Sequence, residues 1–189
     1  MSYQYRPAPS HFRAGEARYA QPTTGGPTMS NQPPIVHIDS VDTQNIGQGE
    51  KFAASIARIG AQLGMTKIGC TLVELAPGKR AWPFHLHYGQ EELFVILTGT
   101  GQLRYDDGIH ELRQGDVFFA GTGPGTAHQI INSSDAVLKY LALSSMEDPE
   151  VCYYPDSDKY GAYCWREDNA GVRFLAHKDS SVGYFDGEM

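Results

Sequence analysis

An all-β fold, barrel or sandwich, is predicted by three features of this 189-residue sequence. Short runs that alternate apolar and polar residues recur at spacings of roughly 8–12 residues. Gly or Asp turns separate them. Eleven Tyr, eight Phe and 21 Gly suit pleated strands and tight turns. No repeat of solenoid or propeller length is visible.

Ile35 to Ile38 is the first strand candidate. Glu50 to Leu63 reads either way: its Ala-rich centre fits a helix by propensity and a strand of small residues by pattern. Lys67 to Leu75 is a strand, in which Ile68, Cys70 and Leu72 alternate with their neighbours. Pro77-Gly78 turns the chain. Ala81 to His87 and Glu92 to Thr98 are extended. Gln102 to Tyr105 and Ile109 to Arg113 form a hairpin around Asp106-Asp107-Gly108. Asp116 to Ala120 precedes the Gly-Pro loop Gly121 to Gly125. Ala127 to Ile131 and Val137 to Leu143 are read as a last hairpin, joined across Asn132 to Asp135.

The barrel is thereby assigned to residues 35–145. Residues 1–34 read as a flexible tail. They hold six of the eleven prolines and few aliphatic residues, too little apolar surface to offset the entropy of ordering. Met29 is an alternative start. Residues 146–189 form an aromatic-rich extension. There Tyr153, Tyr154, Tyr160, Tyr163, Trp165, Phe174, Tyr184 and Phe185 are spread through polar sequence. The pattern is that of a loop packed onto the barrel, its mouth or a partner subunit.

A formal charge of −7 and the lack of any basic run argue against nucleic acid and anionic membranes as partners. Cys70, Cys152 and Cys164 form no CxxC pair, which leaves three reduced thiols in a cytoplasmic protein as the expectation. No apolar run has the length of a signal peptide or membrane span.

The chemistry concentrates in Gly78 to Gly99 and Gly123 to Asn132. Strand residues i and i+2 share a face, so His85 and His87 reach one point while Leu86 turns away. Glu92 opens the next apolar run. A lone carboxylate facing a barrel interior is costly to desolvate unless a cation pairs with it. His128 follows the glycine loop. A single histidine of this kind is ordinarily structural; three histidines and one carboxylate in an all-β pattern point to one divalent metal. The donor set suits zinc, iron, manganese, nickel or copper better than calcium or magnesium. Glu91 is the solvated neighbour of Glu92. His11, His37, His110 and His177 lack a partner at ligand spacing. Trp82 and Phe84 have the opposite parity to the histidines and read as packing between sheets. Phe94 and Ile96 share the parity of Glu92, as pocket wall or core. Arg80, Tyr88 and Gln90 are near the motif, but parity places none of them inside.

These two stretches resemble the paired motifs of the cupin superfamily. His85, His87, Glu92 and Gly99 match the HxH(x)4E(x)6G portion of the first motif, with Gly78 one residue further upstream than its pattern. Gly125, His128 and Asn132 match the second, Gly115 serving as its first glycine. Its proline position holds Gly123, with Pro124 one place late, and its loop is two residues longer. The resemblance covers roughly residues 66 to 145 and extends to small bacterial cupins, some described as sugar-phosphate isomerases. It implies a double-stranded β-helix (jelly-roll) barrel, with His85, His87, Glu92 and His128 as ligands of one divalent metal. It further implies a small oxygenated substrate and a homodimer. An isomerase, epimerase or lyase is the leading function. A non-haem iron dioxygenase and a metal-stabilised binding or sensor module are the alternatives.

Overall fold

The computed structural model describes residues 33–164 and 171–188. Alternation in Ile68–Leu75 is the clearest case of sequence setting local structure. Val73 and Leu75 point into the main core, while Cys70 and Leu72 join a second apolar cluster on the opposite face. The chain proceeds through strands β1 (Gln44–Gln48), β2 (Phe52–Ala57), β3 (Ile68–Leu75), β4 (Leu86–His87), β5 (Glu92–Thr98), β6 (Thr100–Tyr105) and β7 (Gly108–Arg113). It continues through β8 (Val117–Ala120), β9 (His128–Ile131), β10 (Leu138–Ser145), β11 (Glu150–Tyr154), β12 (Lys159–Cys164) and β13 (Val172–His177). A single helical turn, α1 (Ile59–Gln62), follows β2.

One sheet runs β1-β2-β3-β10-β5-β8. The others run β13-β12-β11-β4 and β7-β6-β9, and an antiparallel backbone bridge between His85 and His128 joins them. The main core lies between these layers. Val73, Leu75, Phe94, Ile96, Leu138 and Tyr140 from the first sheet meet Leu103, Leu112 and Ile130 from the second. This is the jelly-roll arrangement that the motifs imply. Among the described residues, no helix is long and apolar enough to cross a membrane.

Several elements depart from the sequence reading. Ile35 to Ile38 is not a strand. Ser40 donates its N–H and its hydroxyl to the His37 carbonyl, both at 3.0 Å, which turns the chain inside the run. Gln44–Gln48, too polar to read as a strand, is held by pairing with β2. The ambiguous stretch is both things in turn, strand β2 and then α1. Of Ala81 to His87, only Leu86–His87 enters a ladder, because Pro83 offers no donor.

Ala127 to Ile131 and Val137 to Leu143 are not a hairpin. β9 pairs with β6, and β10 with β3 and β5, so the chain changes sheet between them. Asn132 makes that crossing. It is fully buried, its Nδ2 donates to the carbonyls of Leu75 (2.8 Å) and Ala136 (2.7 Å), and its Oδ1 accepts from Ser134. The aromatic extension is not a loop either. β11 and β12 form a hairpin that pairs with β4 on one side and β13 on the other. Tyr184 and Phe185 are exposed beyond it. Residues 1–32, including His11 and Met29, and Trp165 lie outside the described residues.

Candidate metal centre

Three strands and one bridge assemble the centre. His85 precedes β4 and His87 ends it; Glu92 opens β5 and His128 opens β9. His85 and His128 exchange backbone hydrogen bonds, His128 N–H to His85 O at 2.8 Å and His85 N–H to His128 O at 3.2 Å. That exchange sets two imidazoles beside each other with ring centroids 4.9 Å apart. The centroids of His85 and His87 are also 4.9 Å apart. The glycine loop closes behind them: Gly123 N–H donates to the His87 carbonyl at 2.7 Å, in a left-handed conformation (φ 84°) that glycine adopts without strain.

All four sequence-predicted residues come together. Donor atoms of His85, His87 and Glu92 lie within 4.8 Å of one another. Glu92 Oε2 is 2.8 Å from His128 Nε2 and 3.3 Å from His87 Nε2. The outward nitrogens are occupied elsewhere. His85 Nδ1 is 2.8 Å from the Pro83 carbonyl, and His128 Nδ1 is 3.1 Å from the Thr126 carbonyl. A carbonyl only accepts, so each of these Nδ1 atoms carries a proton, and Nε2 is the ring nitrogen that an ion would take. His87 Nε2 is buried with no hydrogen-bond partner. Imidazole nitrogens gathered around one carboxylate, one of them orphaned, fit a divalent cation.

The electrostatics agree. Burial, then the imidazoles of His128 and His87, push the His85 pKa down to about 3, so it is a neutral donor. Burial raises the Glu92 pKa, but the His128 hydrogen bond and the neighbouring His87 ring outweigh it and hold the group ionised well below the usual carboxylate range. Phe94 forms the apolar wall: its ring stands edge-on to His128 at 5.4 Å and stacks on Phe118 at 4.4 Å.

The other sequence candidates lie outside the centre. Glu91 is exposed, as expected. Arg80 faces Gln129 at 3.4 Å, Gln90 donates to the Glu147 carbonyl, and Tyr88 stacks on Tyr160. Ile96 is core. Trp82 packs against the main core, but Phe84 belongs to a separate cluster with Leu86 and Ala127, capped by the Arg104 guanidinium at 3.7 Å. His37, His110 and His177 are exposed.

Three neighbours of the centre were not legible as such. Glu150 Oε1 and Cys152 Sγ each lie 3.4 Å from His87 Nδ1, and Tyr154 stacks on His85 at 6.0 Å. Cys152 is therefore no bland thiol, although all three cysteines are free. The available signal was the alternation of Glu150, Cys152 and Tyr154, which places the three on one face of a strand.

Residues 71–144 match the family model of the cupin domain, and the barrel has the cupin fold. A crystal structure of a sugar phosphate isomerase of the cupin superfamily from Silicibacter pomeroyi is similar at 27% identity and a TM-score of 0.68. The match covers 81% of this chain and 98% of that one. A candidate sugar phosphate isomerase from Acidithiobacillus ferrooxidans shares the fold at 21% identity and a TM-score of 0.67, over 79% of this chain and 96% of that one. An uncharacterized protein of Methanocaldococcus jannaschii is 37% identical over 71 residues, 35% of this chain. The match spans 55% of that relative's length, about half.

Proposed function

We propose that this chain is a metal-dependent enzyme of the isomerase, epimerase or lyase type, acting on a small oxygenated molecule such as a sugar or sugar phosphate. The observation that carries the reading is the convergence of the His87 and His128 Nε2 atoms on half-buried Glu92, with His85 beside them. The Silicibacter pomeroyi isomerase, similar over nearly its whole length, supports the substrate class.

Through the positions that four protein donors leave free, a divalent ion would polarise two neighbouring substrate oxygens. Glu92 offsets part of the ion's charge, and Phe94 keeps water from that side. Tyr154, stacked on His85, has its hydroxyl 3.1 Å from that of Tyr163. This reading gives the proton transfer to that pair. Self-association belongs to the same proposal: Val117 and Phe119 stand exposed on β8, which ends its sheet, with Leu93 beside Phe119. Such an apolar sheet end favours pairing with a second copy.

The test is metal content after purification without chelator, followed by anaerobic incubation with aldose and ketose phosphates. Interconversion in the presence of manganese, zinc or nickel is the expected result. Bound iron with substrate-dependent oxygen uptake would replace the reading with a dioxygenase. Ligand binding without turnover would replace it with a sensor.

A further inference from the structure

The three histidines of the centre are not oriented in the same way. His85 and His128 each use the carbonyl two residues earlier, Pro83 and Thr126. His87 does not: the carbonyl two residues before it, that of His85, accepts the His128 N–H at 2.8 Å, and the ring turns Nδ1 to Glu150 and Cys152 of β11 instead. Its Nδ1 needs an acceptor from outside the motif.

We infer that Glu150 is the positioning residue of the metal centre: its carboxylate takes the Nδ1–H of His87 and so fixes the tautomer and ring angle that aim His87 Nε2 at Glu92. The sheet register delivers it. Cys152 pairs directly with His87, and Glu150 lies two residues away on the same face of β11. The carboxylate is 3% exposed and is itself held from the turn after His87, where the Tyr88 and Gly89 N–H groups lie 3.1 and 3.4 Å from Oε1. A Cβ at Gly89 would stand 2.9 Å from Glu150 Oε2, so a side chain there would push the carboxylate aside. The 3.4 Å contact to Nδ1 is longer than an ordinary N–H···O hydrogen bond and shortens when Nε2 holds an ion, on this inference. Cys152 Sγ, at the same distance, is the weaker acceptor. Carboxylates that orient metal-bound histidines from outside the ligand set ordinarily strengthen metal affinity 10- to 100-fold.

The inference rests on the metal centre, so the experiment separates the two. Zinc affinity of the full chain is measured by competition with a chelator for the unaltered protein, Glu150→Gln and Glu150→Ala. One ion per chain is expected. Glu150→Ala should bind about 10- to 100-fold more weakly and Glu150→Gln less severely, since its amide oxygen still accepts. Nitrogen-15 histidine spectra of the zinc-loaded unaltered chain supply a readout that a merely structural role would not move. His87 should show a slowly exchanging Nδ1–H with zinc on Nε2, and that proton signal should shift in Glu150→Gln while those of His85 and His128 stay in place. Should Glu150→Ala not fold, the Gln variant and the unaltered chain decide. Unchanged affinity and an unmoved His87 signal in Glu150→Gln would overturn the inference and leave the metal centre standing. Zinc on His87 Nδ1, or two ions per chain, would overturn it as well. No zinc binding by the unaltered chain would overturn both.

Discussion

Glu92 Oε2 lies 2.8 Å from His128 Nε2, and the two residues belong to strands of different sheets, β5 and β9. The centre therefore clasps one layer of the barrel to the other. An ion bound there stabilises the folded chain by mass action, about 2.7 kcal/mol at a concentration 100 times its dissociation constant.

Glu92→Gln tests that clasp. The amide keeps the shape of the side chain but loses the charge that pairs with the ion. Metal affinity should fall by more than about 100-fold, beyond the range of groups outside the ligand set. Titrating the variant and the unaltered chain with zinc while following thermal unfolding checks it. The unaltered chain should gain in midpoint with zinc and the variant should not; equal gains would remove Glu92 from the ligand set.

The pH dependence of stability should differ with and without metal. In the metal-free chain, burial lowers the His87 pKa, but contacts with Cys152, Glu150 and Glu92 push it up to about 12. That folded value lies above the unfolded 6.5, so the stability His87 contributes is complete below pH 6.5 and is lost as pH rises toward 12. Ion and proton compete for Nε2, so metal affinity rises with pH. Between about pH 6.5 and 9.5, calorimetry should show the stripped chain losing stability while the gap between loaded and stripped chains widens. Glu92, with a depressed pKa, loses its share only as pH falls below the ordinary carboxylate range, outside that window. A stripped chain that gains stability over the window contradicts the assignment.

Asn132→Ala separates scaffold from site. Its amide answers the buried Leu75 carbonyl and the more open Ala136 carbonyl, and its oxygen holds Ser134, so removing it leaves the Leu75 carbonyl unsatisfied, at a cost of about 1–3 kcal/mol. Metal affinity should stay within about twofold at temperatures where the variant is folded. Urea unfolding measures the first quantity and zinc titration the second. A loss below about 1 kcal/mol would mean that water or the backbone replaces the amide.

Tyr154→Phe keeps the stacking on His85 and removes the hydroxyl. Turnover of the substrate found by the anaerobic screen should fall by about 10²- to 10⁴-fold, the ordinary contribution of general acid–base catalysis, with zinc affinity unchanged. Steady-state rates and the same zinc titration read the two effects. A variant with undiminished rate would take proton transfer away from the tyrosine pair.

The four ligand candidates were legible because they lie in two short stretches where strand parity and turn chemistry are local. His85 and His87 needed only the period of two, while Glu92 needed its spacing to Gly99 as well to be chosen over Glu91. The hairpin at Asp106 was legible for the same reason. What escaped is non-local. Glu150 and Cys152 reach His87 from the far side of β5 through β10, and only the β4–β11 pairing brings them together. The supposed hairpin of β9 and β10 failed because a buried amide at Asn132, not a turn, directs the chain into the other sheet. Ile35 to Ile38 failed because apolar residues alone do not make a strand when a neighbouring hydroxyl caps the backbone into a turn.

The pairing of β3 with β10 sets Leu75 opposite Leu138 and Ile68 opposite Ser145. Every ligand candidate lies within the loop that this ladder closes. Such distant contacts repay the entropy of loop closure only after much of the chain has been gathered, which makes folding slow. The ion-holding geometry is then among the last features to form, and capture of a coloured or fluorescent metal probe during refolding becomes a clock for the completion of the barrel.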